Sequence, residues 1–137
     1  MRLPLFACLF GLPLALAAQE AAGPPAGEAD ADTLAFAAAL DACVPATHRT
    51  PHPFVRGFTI EHAITGENDG RCDYTQTMPG DMHMACRLTD AGRAGLAAEF
   101  REMAEGRMSG GTGEQPAWTA DCEVVSADGK RTPMGKP

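Results

Sequence analysis

Between Asp32 and Val44 the apolar residues Phe36, Leu40, Cys43 and Val44 fall at i, i+4, i+7 and i+8, one face of a helix. Asp32 is placed to cap its start, and Pro45 to end it. The stretch that follows, Pro45–Pro53, reads as a rigid, proline-punctuated crossing. From Phe54 the period changes to two. Phe58, Ile60, His62 and Ile64 alternate with Thr59, Glu61, Ala63 and Thr65, the pattern of a half-buried strand. Gly66–Gly70 supplies turn residues. Cys72, Tyr74 and Gln76 then alternate with Asp73, Thr75 and Thr77. After Pro79-Gly80-Asp81, Met82, Met84, Cys86 and Leu88 alternate with His83, Ala85 and Arg87. Two turns joining three strands predict an antiparallel meander.

A helical period returns after Thr89, with Leu96, Phe100 and Met103 as the inner stripe, Thr89 or Asp90 as cap and Gly106 as stop. Ala117–Ser126 predicts a last strand with Trp118, Cys122 and Val124 on one face. The order α-β-β-β-α-β gives a small α+β domain, an antiparallel sheet with helices packed on one face. Its expected bounds are 32–126, after a disordered lead-in over 18–31 and before a flexible tail over 127–137 that lacks any apolar pattern.

The first residues stand apart. Arg2, an uncharged apolar run from Leu3 to Ala18 and the small-residue site Ala15-Leu16-Ala17 have the pattern of a secretory signal peptide over 1–17. Cys8 would be discarded with it. Cys43, Cys72, Cys86 and Cys122 then remain, an even number that reads as two disulfides in an exported domain. The expected location is periplasmic or secreted, and the abundance of Arg, Ala and Gly suggests a bacterial source. A three-residue hairpin loop over Met78-Pro79-Gly80 would set Thr77 opposite Asp81 and hence Cys72 opposite Cys86, leaving Cys43 to Cys122. A different register would give Cys43–Cys72 with Cys86–Cys122.

The formal net charge of −7 makes nucleic acid and anionic lipid poor partners. No G-x-S-x-G, H-E-x-x-H or C-x-x-C occurs, and Ser109–Gly113 lacks the lysine of a nucleotide loop. No catalytic residue is assigned and no cofactor is expected. In outline the element types resemble those of cystatin-like and steroid-isomerase-like folds, but the Q-x-V-x-G hairpin of cystatins has no counterpart and no function follows.

Two groups carry chemistry worth testing. Met78, Met82 and His83 surround a turn, and thioether and imidazole ligands suit copper or silver. Strand alternation opposes this by sending His83 to the other face, and makes Met82 and Met84 core fillers. His62 lies on an apolar strand face, where a hydrogen-bonded core role competes with that of a general base. His48 and His52 flank prolines that forbid the helical spacing of a metal pair. The expected function is a binding or assembly role toward a protein or small-molecule partner. The alternatives are a periplasmic soft-metal protein using Met78, Met82 and His83, and a small enzyme centred on His62.

Overall fold

A computed structural model describes residues 29–107 and 115–135. The signal peptide over 1–17 and all but the end of the lead-in over 18–31 lie outside the described residues. Helix α1 spans Ala31–Ala42, followed by β1 (Ala46–Pro51), β2 (Thr59–Asn68), β3 (Arg71–Met78), β4 (Met82–Leu88), α2 (Asp90–Ala104), β5 (Cys122–Val125) and β6 (Arg131–Pro133). The six strands form one sheet in sequence order, every neighbouring pair antiparallel. Both helices cover one face, as expected for the α+β class.

The cap of α1 is Asp30, two residues before the expected Asp32. Its carboxylate accepts from Asp32 N at 3.1 Å and from the Thr33 hydroxyl at 2.6 Å. The helix buries Thr33, Phe36, Ala37 and Leu40, but Val44 lies past its end and is exposed. Helix α2 starts as expected, with the Thr89 hydroxyl accepting from Gly92 N. It closes in a Schellman arrangement in which Gly106 N donates to Met103 O and Arg107 N to Glu102 O. Its inner stripe is Leu96, Ala97, Phe100 and Ala104, and Met103 is exposed.

Three elements correct the sequence reading. The proline-punctuated crossing contains β1, an edge strand. Pro45 and Pro51 cost little there, because only one side of an edge needs its N–H groups. The expected strand over 117–126 is a 3-10 turn, Ala117–Asp121, followed by the short β5. The tail expected over 127–137 returns through a turn at Ser126–Lys130 to form β6. Met134 then packs on the core while its N–H donates to Cys122 O. The turn after β2 is also tighter than Gly66–Gly70. The strand runs to Asn68, and Asp69 and Gly70, both at positive φ, make a two-residue hairpin.

The disulfides are Cys43–Cys72 and Cys86–Cys122, not the pairing set out first. The loop between β3 and β4 is Pro79-Gly80-Asp81, so Met78 faces Met82 and Tyr74 faces Cys86. Cys72 then faces Leu88, a diagonal step from Cys86, and its sulfur meets Cys43 at the end of α1. Cys86 and Cys122 are direct partners across β4 and β5. Both bridges are buried among Phe36, Leu40, Ile64, Tyr74, Met84, Leu88, Leu96 and Phe100.

Candidate functional site

Under α1, the core face of β1, β2 and β3 carries polar side chains where strands normally place apolar ones. His48 and His62 are register partners with ring centroids 6.1 Å apart, and Phe36 stacks on His48. The Thr33 hydroxyl gives its proton to Asp30, so at 3.0 Å from His48 Nε2 it accepts. His48 therefore carries its proton on Nε2. Across the stack, Tyr74 Oη donates to Gln76 Oε1 and, at 2.7 Å, accepts from His62 Nδ1. His62 Nε2 is left to accept from the Thr50 hydroxyl at 3.0 Å. Each hydroxyl and ring N–H proton in these two chains has an acceptor, which is how a buried polar network avoids destabilising a core.

This environment fixes His62 in its neutral form. Burial, and then the neighbouring His48, lower its pKa from 6.5 to about 4. Tyr74, buried and facing the charge of Glu99, is raised above its ordinary value. Asp30 is lowered, chiefly by the Thr33 hydroxyl bond. A groove beside α1 is lined by Asp30, Asp32, Phe36, His48 and Arg49, and His62 is not among its walls. With both ring nitrogens engaged and only 4 % of its surface exposed, His62 has the placement of a hydrogen-bonded core residue. His52 is structural in another way, its Nδ1 accepting from Phe54 N and Val55 N at the tip of the β1–β2 hairpin.

Met78 and Met82 face each other across the β3–β4 hairpin, on the face that carries Met84. Met78 packs against the core and Met84 is buried. His83 is the next residue in register, paired with Thr77 and Val125, so alternation directs it to the opposite face. The backbone thus brings the two methionines together and separates them from His83. Among the described residues no group of three or more His, Cys, Asp or Glu side chains is placed to hold a metal ion.

Among the described residues no helix covers the second face of the sheet. Thr47, Ala63, Thr75 and Ala85 follow one another in register across β1 to β4, a row of small side chains. On its flanks run ion pairs: Arg49 with Glu61, Arg71 with Asp121, Arg87 with Asp69 and Asp73, and Arg131 with Glu123. Thr75 and Ala85 floor a groove of ≈850 Å³ whose walls include Arg71, Asp73, Arg87, Asp121, Glu123 and Arg131. One oxygen of Asp73 is buried there without a hydrogen-bond partner among the described residues, 3.6 Å from Arg87 Nε. The sequence placed Asp73, Thr75, Ala85 and Arg87 on one face. It gave no sign that small residues on four neighbouring strands would line up, because that depends on register. No family model, curated protein or solved structure matches this chain.

Proposed function

We propose that this chain is an exported, disulfide-stapled binding module that holds a peptide-like partner across the open face of its sheet. The observation that carries the reading is the groove floored by Thr75 and Ala85. Small side chains let a ligand's backbone approach the sheet closely. The flanking arginines and carboxylates offer donors and acceptors that are already charge-balanced, so a polar ligand meets no large unpaired charge. Export is supported by the apolar N-terminal segment and by two disulfides, which persist in oxidising compartments. No helix among the described residues is long and apolar enough to cross a membrane.

The test is amide shift mapping of the oxidised, isotope-labelled protein with a mixture of capped random pentapeptides at millimolar concentration. Shifts gathered on Thr75, Ala85 and Arg87, and lost in Ala85→Phe, are expected. Shifts absent from this face, or unaffected by filling the groove, would overturn the reading.

A further inference from the structure

The β1–β2 hairpin ends in an exposed apolar tip. Phe54 has 85 % of its surface in solvent and Val55 is also exposed. The tip is nonetheless well braced. His52 Nδ1 accepts two backbone N–H groups, His52 N donates to Phe58 O at 2.9 Å, Phe58 N donates to Val55 O, and Gly57 takes a positive φ. An aromatic side chain held out on a braced turn loses little freedom on docking. The tip is also basic in an acidic chain, with no carboxylate between Asp41 and Glu61. Of the eight arginines among the described residues, seven make ion pairs, and the eighth is Arg56, two residues from Phe54.

A complementary feature lies at the other end of the sheet. Beside α2 a cavity of ≈270 Å³ is lined by Gly92, Gly95, Pro116, Ala117 and Trp118, with Glu99 and Asp121 at its edge. Gly95 places no side chain over the edge of the indole. A Cβ at Gly95 would sit 3.7 Å from Trp118 Cδ1, so one added side chain would occupy the space. Glu99 is half-buried, accepts from Trp118 Nε1 at 2.7 Å and has no cationic partner among the described residues. Burial raises its pKa, the Trp118 bond opposes this and Glu102 adds to the rise, so an approaching cation would be favourable there.

We infer that the protein self-associates head to tail, with Phe54 of one copy seated against Trp118 of the next and Arg56 beside Glu99. An aromatic anchor with a flanking charge fits a cavity of one-ring size edged by carboxylates. Tip and cavity lie at opposite ends of the strands. The tip shares its end with the Pro79–Asp81 turn, and the cavity shares the other with Thr89 and the start of β3. One molecule therefore cannot satisfy itself. The contact is heterologous, and each copy added leaves one tip and one cavity free. This association uses neither wall nor floor residue of the open-face groove except Asp121, which caps Thr89, so it stands independently of the peptide-binding reading.

The test is sedimentation of the oxidised protein across a concentration series from micromolar to millimolar, with near-ultraviolet dichroism as the check on folding. Average mass is expected to rise with concentration. Phe54→Glu removes the tip and Gly95→Leu fills the cavity. Both sites are exposed, so both variants should fold, and each should weaken association roughly tenfold or more. Mixing the two variants should restore a single junction, from the intact tip of G95L to the intact cavity of F54E, and stop at a dimer. A monomer throughout the series would overturn the inference. So would association that survives both variants, a mixture that stays monomeric, or a Phe54→Glu defect confined to binding phosphatidylglycerol vesicles.

Discussion

The two faces of this sheet are made from alternate residues of the same strands, yet they are stabilised differently. On the covered face, Tyr74, Met84 and Cys86 sit beneath the helices with both disulfides, and His62 and Gln76 have hydrogen-bond partners. On the open face, Thr75, Ala85 and Arg87 meet solvent, and the arginines are held by surface ion pairs worth at most ~1 kcal/mol each. Packing and covalent constraint determine the fold from one side. The other side carries the groove proposed above as a binding surface. Neighbouring residues on the two faces are expected to behave oppositely.

The largest contrast concerns the bridges. Each closes a loop of about thirty residues, with sequence separations of 29 and 36, so removing either should cost roughly 2–5 kcal/mol. Cys86→Ser with Cys122→Ser should lower the urea midpoint steeply. Arg131→Ala, on the adjoining strand but the open face, should leave it within about 0.5 kcal/mol of the parent. Peptide mapping without reduction should return Cys43 joined to Cys72.

Next in size is a pair of neighbours on β4. Met84 is 4 % exposed and should cost ~2–5 kcal/mol as Met84→Ala. Ala85→Ser, one residue on and facing the groove, should cost about 0.5 kcal/mol or less. Equal losses in denaturant melts would show that the open face is packed as tightly as the core.

The polar network adds a pH dependence to the covered face. Folding lowers the pKa of His62 from 6.5 to about 4, so between these values the unfolded chain binds more protons than the folded one. The contribution of neutral, buried His62 is fully present above pH 6.5 and is lost as pH falls toward 4. The loss amounts to about 3 kcal/mol at the lower end, from a shift of ~1.4 kcal/mol per unit. Chemical melts at pH 7 and pH 4.5 should show this slope, and His62→Gln should flatten it. An unchanged slope in the variant would place the titrating group elsewhere.

What was legible in the sequence follows the same division. The period of two in β2, β3 and β4 was plain because their covered positions are apolar or cysteine. The helices were plain because Leu40, Leu96 and Phe100 recur at helical spacing. Strand β1 was hidden because its inward positions are Ala46, His48 and Thr50, polar or small, between two prolines. Their role depends on His62 and Thr33, which lie elsewhere in the sequence. Trp118 was placed on a strand because its apolarity is visible and its 3-10 backbone is not. The disulfide pairing turned on hairpin register. Placing the three-residue loop one position later keeps every side chain on its face but moves Cys86 from Cys72 to Tyr74. The groove depends on register across four strands, and the cavity beside Trp118 on a helix meeting a 3-10 turn. Neither is a pattern within a single segment.

The smallest expected effect concerns the hairpin end, where the two faces come closest. Met78 and Met82 belong to the covered face and His83 to the open one, so an ion held by all three would have to bridge the strand. Two thioethers alone make a weak site for a soft cation. Titration of the oxidised protein with Ag(I), followed by calorimetry, should therefore give no tight one-to-one complex, and His83→Ala should leave the isotherm unchanged. Met78→Ala should lose less stability than Met84→Ala, because Met78 is only partly buried at the strand's end. A stoichiometric silver complex that weakens in Met78→Ala, Met82→Ala and His83→Ala alike would require the strand to bend after Gly80 and bring His83 around to the methionines. The hairpin end would then be a metal site formed across the division between the faces.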